Sequence, residues 1–400
     1  MQLVKRKNEG VEMEYKYLLE IGLIILIVKI FTIITQKIKM PKVLGGLIAG
    51  IVLGPAMLNI VQNSTILEAL SKFGIILIMF LAGMETSIKK FISNRNKYVV
   101  IATTGVIVPL ILGTLFSLLY VQDLKTNLFF GAVITATSVS ITVETLIEMK
   151  KIKSNVGLAI LGAGVVDDVI GILFLTIIMN SGNLQLTTFA LMVLKIILFF
   201  GMAIILGLLL FKVFEKIEEK DTKSDQMPTY SIAFALILAY IAERLGVSGI
   251  IGAYIAGLVI GNTEKGRKVK NKIDLVVHMI FSPIFFASVG LKLGRINFSL
   301  SVWIFILIFT AVTIISKIIG NGLGAKLCGY HKEKALQIGI GMATRGEVAL
   351  IMADEAKKIG LINEEIFSIV IITVLLVTLI TPILLYASFI KKDKLEENWE

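Results

Sequence analysis

Long apolar runs alternate with short polar connections along the whole chain. Thirteen runs have the length of a membrane-crossing helix, at 15–36, 42–60, 66–87, 98–121, 127–149, 155–180, 186–214, 229–245, 247–262, 272–292, 300–327, 333–357 and 365–390. About 20 helical residues suffice to cross the hydrocarbon core. The ninth run is short and rich in glycine. Fusing it to the eighth would put two poor helix formers, the glycines of LGVSG, inside one helix, so two helices are expected. The basic start MQLVKRKNEG resembles that of a signal peptide, but the apolar run from Tyr17 to Ile34 is long and has no small-residue cleavage site. A first span that stays in the protein is expected.

Composition agrees with this pattern. Of 400 residues, 56% are hydrophobic and the mean hydropathy is +0.88, values that a soluble domain seldom reaches. The expected class is an all-α polytopic membrane protein. The net charge of +11 would suit nucleic acid, but the Lys and Arg residues sit in the short connections, where they set orientation. The odd-numbered connections and the C-terminal tail carry more than twice as many of them as the other side. The odd side is therefore expected to be cytoplasmic, with the N-terminus outside, the C-terminus inside and no nucleic-acid partner. With only KKDKLEENWE after the last apolar run, no soluble regulatory domain is expected. Two His and a lone Cys328 exclude a metal cluster of imidazole and thiolate and an internal disulfide.

The chain also resembles itself. GGLIAGIVLG at 45–54 matches GAYIAGLVIG at 252–261 in six of ten positions, an offset of 207. At the same offset Gly83 and Phe91 fall on Gly290 and Phe298, and Ala136-Thr137 falls on Ala343-Thr344. The matching helices are seven spans apart, so the two copies cross in opposite directions, as in many secondary transporters. Repeat 1 is expected at 15–180 and repeat 2 at 229–390, with a linker helix at 186–214, in one membrane domain over 1–400.

Chemistry concentrates in four spans. VVDDV in the sixth puts Asp167 and Asp168 side by side in an apolar run, an arrangement costing roughly 2.5–3.5 kcal/mol per charge on the insertion scale and usually kept for function. Neighbouring helix positions point about 100° apart, so the two carboxylates can hold different partners. The fifth span carries TATSVSITVETL, with Thr137 and Ser138, and the twelfth GMATRGEVAL, with Arg345 and Glu347. Such Ser, Thr and Gly density favours unwound segments. For Thr137 and Ser138 the competing reading is ordinary interhelical hydrogen bonding. For Arg345 and Glu347 it is a pair snorkelling at the membrane edge. Lys317, inside the eleventh span, wants a carboxylate, and Asp167 and Asp168 are the candidates. His278 is expected to be a satisfied helix-edge histidine, and Glu85, Glu144, Glu148 and Glu243 to be solvated near span ends.

With these motifs in place, the chain resembles bacterial Na+/H+ antiporters of the monovalent cation:proton antiporter-2 family, NapA type. The likeness rests on VVDDV, TATS, TRGE, FFASVGLKL in the tenth span and the buried Lys317. The resemblance implies a homodimer with a dimerisation domain and a mobile core domain, crossing broken helices 5 and 12, Asp168 as main Na+ ligand and Asp167 as the partner of Lys317. The expected function is exchange of cytoplasmic Na+ (or Li+ or K+) for external H+ by alternating access in the bacterial cell membrane, with no cofactor beyond the transported ions. More than one H+ per cation is expected, with Lys317 the second carrier. The alternatives are a K+/H+ antiporter or K+ efflux protein, or a cation channel or sensor on the same core. An intramembrane enzyme is disfavoured, because no nucleophile and base occur at matching depth.

Overall fold

The computed structural model describes residues 2–38, 40–62, 64–179, 190–191, 193–203, 205–207, 209, 226–263, 266–293 and 298–397. Among these, the side chains of 2–14, 90, 172–179, 267, 347, 351, 355 and 391–397 lie outside the description. The described residues form helices and no strands. In chain order they are α1 (Gln2–Lys37), α2 (Lys42–Leu53), α3 (Thr65–Glu85), α4 (Ile88–Ser93), α5 (Arg95–Ser117), α6 (Leu124–Val133), α7 (Val139–Glu148), α8 (Asn155–Met179), α9 (Met227–Arg244), α10 (Gly249–Gly261), α11 (Gly266–Val276), α12 (Ser282–Leu291), α13 (Leu300–Leu327), α14 (Lys332–Gly341), α15 (Glu347–Lys358) and α16 (Glu364–Glu397). Six segments of the described residues are long and apolar enough to cross a membrane: Tyr15–Lys37, Thr65–Glu85, Arg95–Ser117, Lys268–Leu291, Leu300–Leu327 and Glu364–Ile390.

The fifth and twelfth expected spans are both interrupted. The former divides into α6 and α7 around residues 134–138, and the latter into α14 and α15 around 342–346. The tenth expected span is also not one regular helix, because a π-turn at Val277–Phe281 separates α11 from α12. The second ends at Leu53, where Gly54-Pro55 stops it well short of residue 60. Of the seventh, 186–214, residues 190–191, 193–203, 205–207 and 209 are described and helical, and the rest fall outside the described residues.

The chain divides into two compact units, Met1–Ile75 with Leu275–Asn297, and Ile76–Asp274 with Phe298–Glu400. In the first, Ile24, Val28, Ala49, Leu53, Leu67, Ile284, Ala287 and Leu291 make one buried cluster. Here α2 and α12 approach backbone to backbone. A Cβ on Gly50 would collide with the Ala287 carbonyl, and one on Gly290 with the Leu47 carbonyl. In membranes such glycine seams replace the hydrophobic driving force with close van der Waals packing.

The second unit contains the same seam again. A Cβ on Gly257 would strike the Phe80 carbonyl, and one on Gly83 the Tyr254 carbonyl, so α3 and α10 meet as closely as α2 and α12. Gly50 and Gly257, like Gly83 and Gly290, are related by the offset seen in the sequence. The unit's broadest helix pair is α5 with α13. Along α13 the buried face runs Thr310, Thr313, Lys317, Gly320 and Gly324, a three-to-four spacing that keeps one stripe toward the interior. Gly105 leaves room for the Asn321 amide, which donates to the Ile101 carbonyl at 2.9 Å.

Candidate ion-binding site

The site is built where the two interrupted spans meet. Ser138 N–H donates to the Thr344 carbonyl at 2.9 Å and the Thr137 hydroxyl to the Met342 carbonyl at 3.3 Å, so each break closes hydrogen-bonding groups that the other leaves open. Gly346 permits the approach, because a Cβ there would overlap the Ser138 side chain. Thr142, one turn into α7, donates to the Gly341 carbonyl and shares a 2.7 Å bond with Thr344 Oγ1. Thr378 on α16 reaches the Arg345 carbonyl, also at 2.7 Å. These bonds hold non-helical backbone inside the protein, where a lone carbonyl would cost several kcal/mol on the order of its full desolvation.

Arg345 is 1% exposed. Its guanidinium donates to the Ile134 carbonyl, just past the C-terminal end of α6, and to the Thr344 carbonyl. A cation at that end complements the partial negative charge of the final turn. Burial excludes the snorkelling alternative. The backbone of Glu347 opens α15, and its side chain lies outside the described residues.

Helix α8 runs against α6, α7, α14 and α15 and brings the acidic pair to the junction. Asp167 and Asp168 are 2% and 9% exposed. Lys317 is fully buried and bonds Asp167 Oδ1 at 3.0 Å, which resolves the choice of lysine partner left open by the sequence. Asp168 also interacts electrostatically with Lys317. Lys317 thus stands in the field of both carboxylates and Arg345 in that of Asp167, so this is a charge-compensated cluster in which one carboxylate is hydrogen-bonded to an ammonium. Of the sequence-predicted site residues, Thr137, Ser138, Arg345 and Glu347 lie at the two interruptions, Asp167 and Asp168 on α8, and Lys317 on α13, bonded to Asp167.

Two expected roles need correction, those of Glu85 and Glu144. Glu85 is ion-paired with Lys270 rather than simply solvated. Glu144 turns a carboxylate oxygen into the interior, one turn before the end of α7. Glu243 is exposed and accepts from Gly249 N–H at 2.7 Å. His278 is half-buried in the π-turn. Thr378 was missed: it is one threonine in an apolar helix, with nothing in sequence to separate it from Thr381, which bonds back to its own Val377 carbonyl.

The model for "Sodium/hydrogen exchanger, transmembrane" matches residues 22–388, nearly the full chain. The chain belongs to this exchanger family. Among relatives, the Na(+)/H(+)-K(+) antiporter GerN of Bacillus cereus is 35% identical over 382 residues, covering 96% of this chain and 98% of GerN. The Na(+)/H(+) antiporter of Enterococcus hirae is 33% identical over 374 residues, covering 91% and 97%. The solved structure of the sodium proton antiporter MjNhaP1 from Methanocaldococcus jannaschii has a TM-score of 0.73 at 20% identity, covering 94% and 95%. That likeness establishes the exchanger fold.

Proposed function

We propose that this chain is a secondary antiporter exchanging cytoplasmic Na+, or Li+ or K+, for external H+. The observation that carries the reading is the buried acidic pair on α8, with Asp167 tied to Lys317 and Asp168 beside it at the meeting of two interrupted helices. Family membership and the printed functions of GerN and the Enterococcus hirae protein support it. Asp168 serves as the main cation ligand, and it holds either a proton or a cation. Competition for one carboxylate couples the two fluxes, and the loaded, neutralised site crosses the apolar barrier far more readily than the bare charge.

The architecture proposed for this cycle has thirteen spans in two inverted six-helix repeats, N-terminus outside and C-terminus inside, working by alternating access as a homodimer in a bacterial cell membrane. The repeat offset shared by the two glycine seams and by the two interruptions supports the inverted halves. Lys317 releases a proton when the cation enters and Asp168 another, so net charge moves in each cycle. A membrane potential then contributes about 2.3 kcal/mol per charge per 100 mV. No resident cofactor takes part.

The test is cation-induced proton movement in everted vesicles on adding NaCl, LiCl or KCl. Movement in wild type and its loss in Asp168→Asn are expected, since the amide keeps the shape and removes the charge; wild-type vesicles showing no response would refute exchange. In proteoliposomes at clamped potential, Lys317→Gln is expected to leave slower, voltage-insensitive exchange. The K+ in GerN's name favours K+/H+ exchange as second reading, and the KCl arm of the same assay decides it.

A further inference from the structure

The Asp167 carboxylate is hydrogen-bonded on one oxygen only. Oδ1 takes Lys317, while Oδ2 is closed off from solvent and accepts no hydrogen bond from the described residues. Arg345 presents the complementary deficit. Two of its nitrogens donate to the Thr344 and Ile134 carbonyls, and its buried Nε donates to none of the described groups. The guanidinium interacts electrostatically with Asp167 and with Lys317. Helices α14 and α15, which flank Arg345, both pack on α8, which carries Asp167.

The void lined by Arg345, Phe309, Thr313, Val370 and Thr373 has no room for a water molecule. Buried charged groups left without hydrogen bonds are costly, and an unbonded cationic donor beside an unbonded anionic acceptor is a matched pair.

We infer that Arg345 is a second counter-ion of Asp167, a positioning residue that takes Oδ2 through Nε when Lys317 withdraws from Oδ1. Its purpose rests on the antiporter reading: Asp167 stays ionised and fixed beside Asp168 while the lysine changes partners. The arrangement makes Lys317 dispensable for holding Asp167 only as long as the charge at position 345 is present.

The experiment is a mutant cycle on the purified full chain, read by thermal melting and, after reconstitution, by Na+-driven proton flux. Lys317→Gln and Arg345→Gln each lower the melting temperature, and the double variant falls well below the sum of the two shifts, because Asp167 then has no cation. Adding Asp167→Asn to the double variant restores melting toward the single variants. Arg345→Lys in the Lys317→Gln background preserves both melting and flux, with flux about tenfold above that of the double glutamine variant. Additive melting shifts would overturn the inference. So would failure of Asp167→Asn to restore the double variant, or an Arg345→Gln protein that cannot fold with Lys317 intact, since either places the role of Arg345 in its backbone bonds. A wild type without cation-driven flux refutes the antiporter reading separately, and the melting cycle still decides the pairing.

Discussion

The two interruptions share a backbone plan and differ in chemistry. At the repeat offset TATSVS, residues 135–140, lies over MATRGE, residues 342–347. Ala136 and Thr137 match Ala343 and Thr344, but Ser138 faces Arg345, Val139 faces Gly346 and Ser140 faces Glu347. The first break is neutral and rich in hydroxyls. The second carries the charge, and it receives hydrogen bonds from the first through Thr137, Ser138 and Thr142. Duplicated backbones supply the crossing, and unequal side chains turn it into a site with one charged wall.

That inequality can be broken at several points. The largest effect is expected at Gly346. Valine there, reproducing Val139 of the other copy, would drive into Ser138 and cost about 3 kcal/mol or more as overpacking. Loss of monodisperse protein in size-exclusion chromatography is the expected result, whereas Val139→Gly should leave a folded chain.

Thr142→Val comes next. It removes the bonds to the Gly341 carbonyl and Thr344 Oγ1, and about 1–2 kcal/mol is expected from leaving a buried carbonyl short of a donor. Ala349, its counterpart at the offset, has no hydroxyl to lose, so Ala349→Ser should give no matching gain. Thr378→Val affects one bond, to the Arg345 carbonyl, and should cost about 1 kcal/mol, seen as a smaller drop in melting temperature than for Thr142→Val.

The smallest effect concerns the outer ends of the same half-helices. Asp123 caps α6, accepting from Thr126 N–H at 2.9 Å and Thr126 Oγ1 at 2.7 Å, and these bonds hold its carboxyl below the usual carboxylate range. The equivalent cap of α14, His331, makes no such side-chain bond. Because the folded carboxyl is the stronger acid, its contribution is present above the ordinary carboxylate pKa and fades as pH falls through the lowered value. Asp123→Asn should therefore flatten the acid limb of the melting profile, and His331→Asn should leave that limb unchanged.

Much of the site was legible because charge in an apolar run has few places to go. Lys317 had two candidate carboxylates in the sequence, and the structure pairs it with Asp167. The interruptions were legible because hydroxyls at the density of TATSVS compete with helical hydrogen bonds. Their edges were not, since where a helix resumes depends on which carbonyl a distant donor reaches, as Thr142 and Thr378 show. The π-turn at Val277–Phe281 likewise left no trace, because its residues, VHMIF, would sit equally well in a regular helix.

The glycine seams carry a consequence for how the chain is made. Gly50 lies on α2, while Ala287, whose backbone it packs against, lies on α12. At about 5–20 residues per second, α2 exits the ribosome on the order of ten to fifty seconds before its mate exists. Through that interval its smallest side chains stand open to whatever apolar surface the insertion machinery offers. Slowed elongation between residues 55 and 280 should therefore increase degradation of nascent chains, whereas slowing after residue 300 should not.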